Sequence, residues 1–252
     1  MAEGPLVHRY TERIKRIAQG KKVTVKFLVK KLKGYNENFH QVVLIRVEAF
    51  GKQFRFYFSN KKIVIVHLMM WGYWKFYKRG ENWDKPLSKA KMIIHCEDNE
   101  IVLFSAPVLK VFDEEEFITS KYNTLGPDPL RPDFSKEKFL SNLLSNPEME
   151  IGEALIRQDI IAGIGNILRI EILFNAKIHP RRKIKDIDDR KLDKLVYWIL
   201  KLPSDWFFYP SGRKKKFQIY RKAGRPCPRC GTTIEFFRQA GRITYACPHC
   251  QK

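Results

Sequence analysis

Apolar residues recur at helical spacing near the start of the chain. Leu6, Val7, Tyr10, Ile14 and Ile17 share one face, Pro5 suits a first helical position, and Gly20 ends the segment. The pattern predicts a leading helix with the N-terminus at its mouth. From Lys22 to about Phe112 the period drops to two: Val23, Val25, Phe27 and Val29 alternate with polar residues, as do Phe54, Phe56 and Phe58. Turn-forming clusters at 34–38, 59–62, 80–84 and 97–100 separate these runs. Many short strands at that spacing predict a β-sandwich or barrel.

Beyond Asp113 the period becomes helical. Leu125-Gly126-Pro127-Asp128-Pro129 with Pro132 reads as a stiff linker, and helical patterns follow at about 135–145, 149–161, 166–176 and 186–201. A second, α-helical domain is the expectation. The tail from Gly224 is too short to enclose a core of its own and needs a metal to organise it. The fold class is therefore α+β in two domains: residues 1–118 as the β domain, 119–132 as linker, 133–223 as the helical domain and 224–252 as a metal-bound finger.

Charge narrows the partners. Lysine and arginine number 48 against 27 aspartates and glutamates, a net charge of +21, which exceeds what solubility requires and points to a polyanion. By itself the charge leaves nucleic acid, an anionic membrane surface and a merely solvated cationic face all open. No apolar run reaches the roughly 18 residues of a membrane span; the longest candidate, Ile63 to Trp74, is interrupted by His67 and Gly72. Glu3, Gly4 and Pro5 stand where an export signal would place basic and then apolar residues, so a cytoplasmic monomer is expected.

The most specific motif is Cys227-Pro-Arg-Cys230, sixteen residues, then Cys247-Pro-His-Cys250. Two such knuckles supply four thiolates for one tetrahedral zinc, with residues 232–245 as two short strands around Ala240-Gly241; a redox pair or an iron–sulfur site is the alternative. His249 sits inside a knuckle as a bystander, and Cys96, alone in a strand-like run, as a packed thiol. Ala162-Gly163-Ile164-Gly165-Asn166 lies between two helical patterns. Its glycines permit close backbone approach, Asn166 is placed to cap the following helix, and a helix N-terminus there favours a phosphate; a tight turn without a ligand fits equally well. Glu171, on a mostly apolar helix, reads as a hydrogen-bonded packing residue, and Met69-Met70-Trp71 taken alone reads as core.

In order along the chain, Glu3-Gly4-Pro5, Leu125-Gly126-Pro127-Asp128-Pro129-Leu130, Gly163-Ile164-Gly165-Asn166 with Glu171-Ile172-Leu173, and the four-cysteine ribbon resemble the formamidopyrimidine-DNA glycosylase and endonuclease VIII family. Gly4 after Glu3 is more like the endonuclease VIII branch, associated with oxidised pyrimidines. The resemblance implies a helix-fronted β-sandwich, a helix-two-turn-helix domain and a zinc ribbon. It also implies a bifunctional DNA glycosylase and abasic-site lyase acting on damaged double-stranded DNA, or a non-catalytic damage-binding protein of the same fold.

It assigns roles residue by residue. Removal of Met1 exposes Ala2, where the family normally has proline; its amine would form a Schiff base with C1′ of the damaged nucleotide. Glu3 matches the general acid, and Lys52 and Arg242 match residues that contact phosphates and assist elimination. Met69, Met70 and Trp71 fall where the family fills the gap left by an everted base, and Gly165 and Asn166 where it holds a neighbouring phosphate. The basic run 213–216 fits the family's lesion-side loop. Leu6, often glutamate in the family, and Thr124, in place of a basic residue, depart from the pattern.

Overall fold

The computed structural model describes residues 2–209 and 217–252, so the basic run 213–216 lies outside the described residues. The chain forms two compact units, one of Ala2 with Leu6–Thr124 and the other of Glu3–Pro5 with Leu125–Lys252.

Helix α1 (Gly4–Ala18), which belongs to the first unit from Leu6 onward, buries Val7, Ile14 and Ala18, with Leu6, Tyr10 and Ile17 packed beside them. Lys15 and Arg16 sit at its C-terminal end, where the helix dipole favours cations. Gly20, at φ +78°, turns the chain into the sheet. Eight antiparallel strands follow: β1 (Lys22–Phe27), β2 (Val42–Phe50), β3 (Gln53–Phe58), β4 (Lys62–His67), β5 (Tyr73–Lys78), β6 (Ala90–Cys96), β7 (Asn99–Phe104) and β8 (Val108–Asp113). Their spatial order is β5-β7-β6-β1-β2-β3-β4-β8. β1 pairs with β2 through only two residues, Lys22 and Val23, before turning to β6, so the strands divide into two four-stranded layers. Phe27, Phe54, Phe56, Trp74, Met92 and Leu103 fill the core.

Two local expectations change. Residues 34–38, read as a turn, belong to a pair of 3-10 turns whose Leu32 and Phe39 are buried, and Phe39 sits edge-on between Phe27 and Phe58. β3 and β4 are buried on both faces instead of one. Short helix α2 (Glu114–Thr119) lays Phe117 over Ile63 and Ile65, and Arg55 reaches the Tyr122 carbonyl at 2.8 Å.

The second unit contains α3 (Lys136–Leu144), α4 (Ile151–Ala154), α5 (Asn166–Ala176), α6 (Asp189–Phe207), β9 (Glu235–Gln239) and β10 (Arg242–Ala246). The helix expected over 149–161 is cut to the four residues of α4. From Gly126 the chain docks on the stretch that follows: Gly126 N–H donates to the Gln158 carbonyl and Ala162 N–H to the Pro127 carbonyl. A Cβ on Gly126 would lie 2.5 Å from the Ile160 backbone. The stretch read as a free linker is therefore, from Leu125, a packed part of this unit. α6 passes through Pro203 and runs two turns beyond the expected stop. Among the described residues no helix is long and apolar enough to cross a membrane.

Candidate active site and metal centre

The Ala2 nitrogen lies in the first unit. Ala2 is buried, and its nitrogen donates to the Met69 carbonyl at 3.1 Å. Met69 opens the loop between β4 and β5 with φ +49°, a left-handed conformation that costs an ordinary residue roughly 1–2 kcal/mol. At the other end of the loop Gly72 N–H returns to the Leu68 carbonyl at 2.8 Å, and a Cβ on Gly72 would meet Leu68 and the Ala106 backbone within 2.9 Å. The loop is thus pinned at its base while its side chains stand in solvent: Met69, Met70 and Trp71 are 40, 62 and 71% exposed. The core reading of this cluster is wrong, because the turn projects it away from the sandwich. Exposed apolar side chains of this size on a basic protein suit stacking against bases.

Lys52 occupies the two-residue turn Gly51-Lys52 between β2 and β3. It is only 7% exposed, unlike most of the chain's cations. His67, the last residue of β4, accepts the Met69 N–H on Nδ1 at 3.0 Å. Burial, and secondarily the Lys52 charge, push its imidazole down to about 4. The ring proton therefore sits on Nε2 at neutral pH. Because burial is the larger cause, the His67 NMR signals are expected to titrate near 4 in the native chain and to rise only part of the way towards 6.5 in Lys52→Ala. A full return to 6.5 would contradict this order of causes.

Glu3 belongs to the second unit. Its carboxylate accepts the Ile167 N–H at 2.9 Å and the Leu168 N–H at 3.1 Å, capping α5. The neighbouring Gly4 N–H donates to the Gly163 carbonyl at 2.9 Å. This corrects two readings. Asn166 is the first residue of α5 and not its cap; and of the free amides at that helix start, two are already taken by Glu3, which leaves any phosphate contact to the turn itself. The glycines acquire a reason. A Cβ on Gly4 would lie 3.2 Å from the Gly163 Cα, and one on Gly165 would collide with the Glu3 carboxylate. Gly165→Ala is therefore expected to expel Glu3, to lower Tm by roughly 3–6 °C through loss of the cap, and to reduce any activity that depends on Glu3. Thermal unfolding alongside an activity assay reads both, and an unchanged melting curve would count against the cap.

The Asn166 side chain also has a structural task. Its Nδ2 donates to the Ile243 carbonyl at 3.0 Å and its Oδ1 accepts from Arg169, joining α5 to the β9–β10 hairpin. Arg169, which sequence reasoning missed, is fully buried; it donates to Thr244 Oγ1 at 2.6 Å and to the Gly152 carbonyl at 2.9 Å. Burial, then the nearby Arg242 charge, push the Arg169 guanidinium down to about 10, and Glu3 opposes this. A cation inside the apolar run Ile167–Phe174 was the available signal. Arg242 follows the tight turn Ala240-Gly241, at φ +46° and +71°, where glycine suits the hairpin geometry. Glu171 is hydrogen-bonded, taking the amides of Gln218, Ile219 and Tyr220.

The four cysteines converge. The Sγ atoms of Cys227, Cys230, Cys247 and Cys250 all lie within 4.8 Å of one another, with Cys227–Cys250 at 3.9 Å and Cys230–Cys247 at 3.5 Å. A tetrahedral zinc with bonds of about 2.3 Å requires edges of about 3.8 Å, so the donor set fits one zinc ion. Amides of Arg229 and Cys250 point at thiol sulfurs, as in metal knuckles. Hydrogen bonds from Thr232 lower the Cys230 thiol and burial raises that of Cys250, and zinc binding requires all four as thiolates. Exposed His249 is not needed as a ligand.

Three family models match the chain in order: Formamidopyrimidine-DNA glycosylase N-terminal domain over residues 1–107, Formamidopyrimidine-DNA glycosylase H2TH domain over 125–202, and Zinc finger found in FPG and IleRS over 224–252. Endonuclease 8 of Escherichia coli (strain K12 / DH10B) is 29% identical over 265 residues, covering 100% of both chains. Endonuclease 8 of Salmonella agona (strain SL483) is 29% identical over 264 residues with the same coverage. Among solved structures, a Lactococcus lactis Fpg complexed with DNA containing an abasic site superposes with a TM-score of 0.84 at 22% identity, over 100% of each chain. A MutM complex with DNA containing carbocyclic 8-oxo-G gives 0.84 and 22% over 99% of each.

Proposed function

The chain belongs to the formamidopyrimidine-DNA glycosylase and endonuclease VIII family, and on that footing we propose that it is a bifunctional DNA glycosylase and abasic-site lyase that uses the Ala2 amine as nucleophile. The observation that carries the reading is the pair of anchors on adjacent residues: the Ala2 nitrogen on the Met69 carbonyl, and the Glu3 carboxylate on the first amides of α5.

Trimming of Met1 turns the Ala2 nitrogen into a primary amine. With a reference pKa near 7.7, about a third of such amines are neutral at pH 7.4, against about 0.1% of ordinary lysines, so a chain terminus is the better nucleophile. The amine bonds to C1′ as the C1′–N bond to the damaged base breaks, and Glu3 supplies a proton to the departing side. The nitrogen then gives up its proton as the C1′–O4′ bond opens and O4′ takes a proton, leaving an iminium that acidifies C2′; loss of the C2′ proton expels the 3′ phosphate, and a second elimination expels the 5′ phosphate. Lys52 and Arg242 lie against those phosphates in this reading. Met69, Met70 and Trp71 occupy the space that the everted nucleotide leaves, and Gly165 and Asn166 hold the backbone beside it. Zinc supplies no chemistry; it shapes the hairpin that carries Arg242.

Oxidised pyrimidines are the favoured substrates, supported by Gly4 after Glu3 and by the curated Endonuclease 8 relatives. The partner is damaged duplex DNA, consistent with the net charge of +21 and with the lesion-containing DNA in the structural neighbours, and the protein acts as a monomer where the genome resides. The test is incision of abasic and thymine-glycol duplexes, with borohydride trapping of the covalent adduct. Cutting of both with a trapped band supports the assignment; a gel shift without cutting would reduce the protein to a damage-binding module.

A further inference from the structure

We propose that His67 is a positioning residue whose Nδ1 holds Met69 in its left-handed conformation and so sets the carbonyl from which the Ala2 nitrogen hangs. The inference rests on the nucleophile assigned above and adds the group that places it.

Both backbone polar groups of Met69 are committed. Its N–H donates to His67 Nδ1 at 3.0 Å, and its carbonyl accepts from the Ala2 nitrogen at 3.1 Å. Packing of its own side chain does little to hold this residue, since Met69 is 40% exposed at φ +49°. A non-glycine residue stays in that region only when its surroundings over-determine it. His67 is suited to the task because its backbone is paired on both sides, with Gln53 in β3 and Val108 in β8, and the adjoining Leu68 is fully buried. Burial and the Lys52 charge keep the imidazole unprotonated, so Nδ1 remains an acceptor through the neutral range.

The chemical consequence concerns direction. An amine with one N–H tied to a fixed carbonyl has its lone pair confined to few orientations. Released from that tether it must find the attack angle on C1′ by chance, and small misplacements of a reacting group cost up to ~100-fold in rate.

His67→Asn and His67→Gln separate the two ring nitrogens. Asparagine places Oδ1 where Nδ1 was and restores an acceptor for the Met69 N–H, whereas glutamine places its amide near the Nε2 position and leaves that N–H without one. Single-turnover borohydride trapping with saturating abasic duplex is expected to stay within about 3-fold of native in His67→Asn and to fall roughly 10–100-fold in His67→Gln and His67→Ala, with smaller changes in Kd. Equal rates in all variants, a defect confined to Kd, or rescue by glutamine with failure of asparagine would each overturn the proposal. Hydrogen exchange of the Met69 amide reads the tether without any activity: slow in native and His67→Asn, fast in His67→Gln. Equal exchange in all three overturns the inference, whereas slow exchange in a native chain that never traps DNA would leave the tether standing and overturn the lyase reading instead.

Discussion

Acetylating the Ala2 amine, or leaving Met1 attached to it, is expected to lower trapping and incision by more than ~10³-fold while duplex affinity changes by no more than about 3-fold. The reason is electronic before it is steric. In an amide the nitrogen lone pair is delocalised into the carbonyl and no longer attacks carbon. The Met69 carbonyl still accepts the N–H of an acylated Ala2, so the architecture survives and only the chemistry is lost. Ala2→Pro, which restores the residue usual in the family, is expected to keep trapping. Intact mass establishes the state of the terminus, and proteolysis of the trapped species locates the bond. A blocked protein that traps as well as the native one would move the nucleophile elsewhere.

Removing the zinc is expected to have a smaller but still large effect by another route. Binding of structural zinc to such cysteine sets is worth roughly 10–16 kcal/mol near pH 7, far more than a hairpin of two five-residue strands gains from its own packing. Cys227 and Cys247 also pack with Ile170 and Phe174 of α5, so the ion holds one wall of that helix's surroundings. Cys247→Ser, or chelation, is expected to release one zinc per chain, expose Arg238 and Arg242 to trypsin, and cut abasic-site incision at least ~100-fold, while the β-sandwich of the first unit melts as before. Retention of full incision by a zinc-free chain would show that the ribbon does not position Arg242 for the reaction.

These two effects differ in how visible they are along the chain. The cysteine pairs announce themselves, because metal ligation demands particular side chains at short, regular spacing, and the fold brings all four thiols together. The strands of the first unit and helix α5 are equally legible, since alternation and the 3.6-residue period are local properties. Pattern failed where burial came from elsewhere in the fold. Residues 155–162 are apolar enough to extend a helix, yet their backbone hydrogen-bonds to Gly126 and Pro127. Pro203 marks a stop by propensity, but α6 passes through it, with Pro203 itself buried.

The candidate site divides along the same line. Chemical identity was open to inspection in the residues: a small residue at position 2, a carboxylate at 3, four thiols, and an excess of cations. Tertiary structure alone decided which groups serve and which support them. Glu3 caps a helix that begins 163 positions later, Asn166 links helix to hairpin, buried Arg169 bridges the two, and the Ala2 nitrogen rests on the distant Met69 carbonyl. A hydrogen bond between distant segments leaves no period or spacing in the chain, because its partners are brought together by the packing of everything between them.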